Sequence, residues 1–287
     1  MVERAVPGSA EWVELAAPHL ARYLFATEWA RGKRVLDAGT GNGYGAALLA
    51  YADAVSVLGI DNDPAAIVQA QQTYGHIAVS KVAAPNSAAH TRHAFNYELD
   101  CELDYEVDDC ETLARAAGPY DLICNFENIE HLPHPEKFLA EAAKRLAPDG
   151  VLLISTPDRA VTPPFIDGKP RNPYHCHEWY RDEFHDLLAH HFANIEMRVQ
   201  VLAAAQQARM EAVESLRQAL MWSNPLTLLL WRKWPFAGPK AVRPWKKLAG
   251  LAAASPTDYP IVALSLASLL GASWFHVAIC RQPRQPV

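Results

Sequence analysis

The stretch Arg34–Gly45, RVLDAGTGNGYG, constrains the fold more than any other part of the chain. An apolar run enters closely spaced glycines and reopens at Tyr44–Ala52 as a helix. Glycine allows a tight turn and close approach of backbone to a ligand, because no Cβ stands in the way. The helix beyond presents N–H groups that have no intrahelical partner. A glycine triplet alone is a weak signal, since dinucleotide-binding proteins use a similar turn. A second apolar run, Val55–Ile60, closes on Asp61-Asn62-Asp63-Pro64, with Asp61 twenty residues past Gly41. An acidic residue there would hydrogen-bond adjacent ribose hydroxyls. The bland alternative is that the stretch only caps the following helix. Asp37, just ahead of the glycines, sits where a carboxylate could engage a ligand's ammonium group.

Strand-like and helix-like segments alternate from there on. Glu11–Thr27 has helical spacing of apolar residues, and Pro64 opens a helix to about Tyr74. Gly75 to about Asp104 has little pattern and reads as an inserted surface excursion. Asp104–Val107 and Tyr120–Phe126 read as strands, Pro135–Leu146 as a helix. Val151–Ser155 reads as a buried strand after the turn Pro148-Asp149-Gly150. Arg181–His190 is a helix and Ile195–Val201 a strand. Such alternation predicts parallel βαβ units. The expected fold is a doubly wound, mostly parallel α/β sheet of seven strands, with a helical insert before the last. The core is 1–201, the insert 202–273, and Trp274–Arg281 the final strand within 274–287.

Composition bounds the function. With 287 residues, half of them hydrophobic, the chain can bury a sheet under helices on both faces. A net charge of −6 gives no global attraction to nucleic acid. Five cysteines form no CxxC pair and read as free, mostly buried thiols. The start, MVERAVPGSAEW, lacks an apolar stretch behind a basic lead, which argues against a secretory signal and for a cytoplasmic protein. Ile261–Cys280 carries no formal charge and is long enough to span a bilayer. Its Gly271, serines and His276 favour buried core instead.

Taken together, RVLDAGTGNGYG, VLGIDNDPAAI, EVDDCETL, YDLICNFENIEHL and KRLAPDGVLLISTP resemble, in order and spacing, the class I S-adenosylmethionine (SAM)-dependent methyltransferases. The resemblance covers roughly His19 to Phe192. It implies that Asp37, Gly39, Thr40 and Gly41 border the methionine part of SAM, and that Asp61, with Asn62 beside it, holds the ribose. It further implies that Asp109 and the backbone of Cys110 hold the adenine amino group, with Asp108 as the rival. Asn125 would begin the stretch flanking the transferred methyl. The helix bearing His19, Arg22 and Tyr23 looks like one that covers the cofactor in some of these enzymes. Thr40 stands where many members have cysteine.

Glu127, Glu130 and His131 stand at i, i+3 and i+4, and on a helical turn such side chains share a face. They follow the fourth strand, at the edge of the sheet where ligands bind in such folds. Carboxylates plus imidazoles suit Mg²⁺, Mn²⁺, Fe²⁺ or Zn²⁺. A divalent cation would lower the pKa of an acceptor hydroxyl. The set resembles the E-x-x-E-H plus distal histidine of the small-RNA 2′-O-methyltransferases, its first part shared with the ubiquinone-biosynthesis O-methyltransferases. By that resemblance His175, in HCHEWYRDEF, is the distal ligand, and His177 a weaker candidate. Two other readings stay open: His131 as a metal-free base with Glu130 beside it, or a structural role for the whole set.

Leu216–Thr257 holds no Asp or Glu but seven basic residues, from Arg217 to Lys247, among Trp222, Trp231, Trp234 and Trp245. Such a segment could lie at a membrane interface through 222–247, cap the active site, or pack its tryptophans inward. The expected activity is O-methylation of a small molecule, glycan or lipid-linked acceptor, with SAM as cofactor and a divalent metal assisting. The rival readings are RNA 2′-O-methylation, against which the acidity argues, and a non-catalytic SAM-binding protein.

Overall fold

The computed structural model describes residues 12–75, 101–162, 165, 167–203, 207–208, 255–266 and 273–284. Its elements in chain order are α1 (Trp12–Ala30), β1 (Arg34–Ala38), α2 (Tyr44–Tyr51), β2 (Ser56–Asp61), α3 (Pro64–Tyr74), β3 (Glu102–Val107) and β4 (Tyr120–Phe126). There follow α4 (Pro135–Arg145), β5 (Leu146–Pro157), α5 (Arg181–Ala189), β6 (Phe192–Val201), β7 (Ile261–Ala263) and β8 (Ser273–Pro283). The strands form one sheet in the order β3-β2-β1-β4-β5-β8-β6-β7. Pairings from β3 to β5 are parallel, whereas β8 runs antiparallel to both β5 and β6.

The sheet has eight strands rather than the expected seven. The extra one, β7, pairs antiparallel with β6 over Arg198–Gln200 and lies in the segment expected to be helical. Three residues are too few to show alternation, so only the partner strand reveals it. Ahead of β7, Pro256–Asp258 is a single 3₁₀ turn capped by Ser255. The rest of the expected insert, 204–206, 209–254 and 267–272, lies outside the described residues, as do most of the excursion after Gly75 (76–100) and the basic, tryptophan-bearing run.

The expected turn at Pro148-Asp149-Gly150 falls inside β5, at the register shift between Tyr120 and Leu122. The uncharged run Ile261–Cys280 supplies β7 and most of β8, and Val277–Cys280 are fully buried between β5 and β6. Among the described residues no helix is long and apolar enough to cross a membrane. Cys101, Cys110, Cys124 and Cys280 are buried and Cys176 exposed, all free.

Apolar side chains cover both faces of the sheet. One core joins Leu36, Ile60, Ile123 and Ile154 to Phe138, Leu139, Phe184 and Phe192. The other joins Val35, Val57, Leu122 and Leu153 to Tyr23, Ala26, Leu49 and Ile67. Alternate residues of each central strand thus serve opposite cores, as the period of two requires. The sequence order reverses between β1 and β4, and there the carboxyl ends of the strands open a crevice.

Candidate active site at the β1–β4 crevice

A cavity of about 460 Å³ fills that crevice. Gly39–Asn42, Asp61, Asn62 and Asp109, from the carboxyl ends of β1 to β3, form one part of its lining. Glu127, Asn128, His131, Leu132 and Pro133, which follow β4, and Tyr174 form another, together with His19, Tyr23 and Tyr44.

The glycine end is made by backbone conformation. Gly39 has φ +82°, and a Cβ there would lie 2.6 Å from Asn128 Cγ. Gly41 has φ +55°, with nothing within 4 Å of where its Cβ would be. A side chain at Gly41 would project into open space beside its own strained backbone, so the bend leaves room against the main chain for a ligand. Asp61 braces this bend: its Oδ2 accepts from the Gly41 N–H at 3.0 Å and its Oδ1 from the Asp63 N–H at 2.9 Å. Asp63, not Asp61, caps α3, accepting from the Ala65 N–H at 2.9 Å.

Asp37 is not at the cavity surface. It is fully buried and accepts from Tyr23 Oη at 3.0 Å and Thr40 Oγ1 at 2.7 Å. Burial pushes its carboxyl up to about 6, opposed by those two hydroxyls. Tyr23 and Thr40 face the cavity in its place. Asn125 is likewise buried and tethers the bend, donating to the Ala38 carbonyl at 2.9 Å. His19 is pushed down to about 3, chiefly by lost hydration and then by the Arg22 charge. It is therefore neutral at the cavity wall.

The choice between Asp108 and Asp109 is made by hydrogen bonding. Both oxygens of Asp108 are taken by backbone N–H groups, from Asp109 and Ala114 on one and from Arg115 and Ala116 on the other. Asp108 thus closes a turn, and Asp109 lines the cavity. Cys110 is buried, and its thiol is raised by loss of hydration. The donors and acceptors around an uncovered glycine bend fit an aminoacyl nucleoside such as SAM. The Asn128 side chain lies beside Gly39 and next to the Cys110 thiol.

At the other end Ile129–His131 forms a 3₁₀ turn, not an α-helical one, and Glu127 precedes it with φ +52°. A shared helical face is therefore not what gathers these residues. Glu127 turns toward β5, where Ser155 Oγ donates to its Oε1 at 2.9 Å, and Arg22 Nη2 lies 4.0 Å from its Oε2. Glu130 is 1% exposed and accepts from Thr156 Oγ1 at 3.1 Å. Burial first, and the Glu127 charge second, raise its carboxyl well above the usual range. The ligand atoms of Glu130, His131 and His175 lie within 4.8 Å of one another. Two imidazoles and a carboxylate at that spacing are a donor set that fits a divalent cation. Glu127 does not belong to this converging group.

The loop carrying His175 is anchored to the 3₁₀ turn through the Glu130 carbonyl, which accepts from the N–H groups of Cys176 and His177 at 2.7 and 3.1 Å. His131 Nδ1 lies 2.9 Å from the Tyr174 carbonyl. A carbonyl only accepts, so Nδ1 carries the proton and the lone pair is on Nε2. His177 stacks on Trp179, with centroids 5.3 Å apart and Nε2 toward the Pro133 carbonyl. Sequence reasoning gave no role to Ser155, the last residue of the predicted fifth strand, to Thr156 just beyond it, or to Glu178. Only the pairing of β4 with β5 brings the two hydroxyls to the two carboxylates.

A family model described as a methyltransferase domain matches residues 10–222. A probable S-adenosylmethionine-dependent methyltransferase of Mycolicibacterium smegmatis is 31% identical over 210 residues, 73% of this chain and 71% of that protein. A ubiquinone biosynthesis O-methyltransferase of Coxiella burnetii is 28% identical over 152 residues. This match takes in 53% of this chain, which spans only 55% of that protein. Among solved structures, a SAM-dependent methyltransferase of Thermotoga maritima superposes with a TM-score of 0.54 at 12% identity, covering 95% of this chain and 92% of that one. The [4+2]-cyclase SpnF gives 0.50 at 16% identity, covering 94% and 83%. These two likenesses establish the fold alone.

Proposed function

Since this chain belongs to the methyltransferase-domain family and is a SAM-dependent methyltransferase, we propose that it methylates a hydroxyl of a small-molecule, glycan or lipid-linked acceptor, with a divalent cation at Glu130, His131 and His175. One observation carries the reading: His131, a member of that converging set, lines the same cavity as the glycine bend. The O-methyl assignment is supported by the similarity to the ubiquinone-biosynthesis enzyme.

SAM, when bound, supplies an electrophilic sulfonium methyl. A divalent cation, when bound, supplies a Lewis acid that favours the ionised form of an acceptor hydroxyl. The chain's own residues hold the reactants. Gly39 and Gly41 leave the bend uncovered, Asp61 offers acceptors to two hydroxyls, and Asp109 faces the far part of the nucleoside. Tyr44 and Phe126 wall the cavity between the two ends. Catalysis then comes mainly from positioning and from electrostatic support of the nucleophile.

His131 has the second role. With its Nδ1–H given to the Tyr174 carbonyl, its Nε2 lone pair can take the acceptor proton directly, which favours a metal-free variant of the same reaction. Release of S-adenosylhomocysteine across a hydroxyl-acceptor panel, with and without exhaustive chelation, tests both. Turnover abolished by chelation and restored by Mg²⁺ or Mn²⁺ is expected. Turnover indifferent to chelation and to Glu130→Gln, yet lost in His131→Ala, overturns the cation and leaves the base.

A further inference from the structure

His175 is gripped on both sides of its ring. Its Nδ1 lies 3.0 Å from Glu178 Oε1 and its Nε2 2.9 Å from Asn172 Nδ2. Asn172 Oδ1 accepts from the Tyr174 N–H at 3.1 Å, which settles the end of the amide that faces the imidazole. An amide nitrogen only donates, so Nε2 must accept, and the proton must sit on Nδ1, aimed at Glu178.

Glu178 is itself immobilised. Its side chain is 2% exposed, Thr162 Oγ1 donates to its Oε2 at 2.6 Å, and Arg159 Nη1 lies 3.6 Å from the same oxygen. Arg159 stacks over Phe165, its Cζ 3.1 Å from the ring centroid. The backbone adds a further tie: Asp158 and Trp179 form a parallel bridge, and the Arg159 N–H bonds the Trp179 carbonyl at 3.1 Å. The segment following β5 therefore fixes Glu178, and Glu178 fixes the histidine.

A neutral imidazole has one lone pair, and which nitrogen carries it decides what the ring can ligate. A histidine that ligates a metal commonly donates its other N–H to a carboxylate, which sets tautomer and orientation. We propose that Glu178 is a positioning residue that holds His175 as the Nδ1–H tautomer, placing the lone pair on Nε2 and so setting the affinity of the Glu130, His131 and His175 set for a divalent cation. This inference rests on the cation reading of the same site. Asn172 then guards Nε2 and must yield it when a cation arrives.

The test uses full-length protein with isotope-labelled histidine, read by NMR without metal and then by calorimetric titration with Co²⁺ alone. Wild type, Glu178→Gln and Glu178→Ala are compared. Wild type should show His175 protonated on Nδ1. Glu178→Gln, which keeps an acceptor oxygen, should preserve that tautomer and bind Co²⁺ less tightly than wild type. Glu178→Ala leaves only Asn172 to hold the ring, and should shift the His175 ring-nitrogen signals and weaken Co²⁺ by roughly 10- to 100-fold. Unchanged ring-nitrogen signals and unchanged Co²⁺ affinity in a folded Glu178→Ala overturn the proposal. Should that variant not fold, an undiminished Co²⁺ affinity in Glu178→Gln overturns it equally. A wild-type His175 protonated on Nε2 also overturns it. A wild type with the expected tautomer that takes up no Co²⁺ sinks the cation reading, and with it the affinity half of the proposal, leaving the tautomer assignment standing.

Discussion

At the glycine end of the cavity the carboxylates are satisfied from within: Asp37 by Tyr23 and Thr40, Asp61 by two backbone N–H groups, Asp108 by four. At the histidine end Glu130 is buried with one hydroxyl donor and a second carboxylate for a neighbour. The first end is complete before any ligand arrives, because its shape is a property of the main chain. At the second, burial and the neighbouring Glu127 carboxylate disfavour the ionised form of Glu130, even with the Arg22 guanidinium nearby, and an incoming cation would offset that penalty. The comparison points to a division of labour, with the cofactor held by a rigid cradle and the chemistry done where one carboxylate is buried beside another.

The sharpest attack on that division is His131→Ala. Turnover should fall by roughly 10²- to 10⁴-fold while calorimetric affinity for SAM is unchanged. An equal loss of SAM affinity would show that the two ends are not separable.

A second attack concerns stability and Asp37. Burial holds its folded carboxyl at about 6, against 3.8 for the free group, so the folded chain binds this proton more tightly than the unfolded chain does. Unliganded stability should therefore fall as pH rises from about 4 to about 6, by on the order of 3 kcal/mol. Asp37→Asn should lack that portion of the slope in denaturant titrations. A variant with the wild-type pH profile would mean that the carboxylate is not enclosed.

Gly39→Ala sharpens the cradle side. The left-handed φ and the clash with Asn128 should cost about 1–3 kcal/mol, seen as a 10- to 100-fold loss of SAM affinity with Co²⁺ uptake retained. Asp61→Asn is the mildest change. It keeps one acceptor but loses the charge, and SAM affinity should drop about tenfold, with Co²⁺ uptake again unaltered.

Four strands of the parallel half, β1, β2, β4 and β5, were legible because each carries apolar residues in a row and stops at glycine, proline or a carboxylate, whereas β3 alternates polar and apolar residues. The glycine bend was legible for the same reason that it works: no other residue could take its backbone conformations so cheaply. Asp61 stood at the end of the second strand, where spacing alone could place it, whereas spacing left Asp108 and Asp109 open. Glu127 was grouped with Glu130 and His131 by helical spacing that the chain does not adopt there.

What the order of residues determined by itself is therefore local: the strands of the core, the bend and the chemistry available at each strand end, all set by backbone preference and side-chain type over a few positions. Which carboxylate faces the cavity and which is consumed by a turn, as with Asp109 and Asp108, was decided only by tertiary hydrogen bonding. So were the eighth strand, the burial of Asp37 behind Tyr23, and the meeting of His131 with His175 across more than forty positions of sequence. Those outcomes depend on contacts between segments far apart in the chain, and no local periodicity carries a record of the partner.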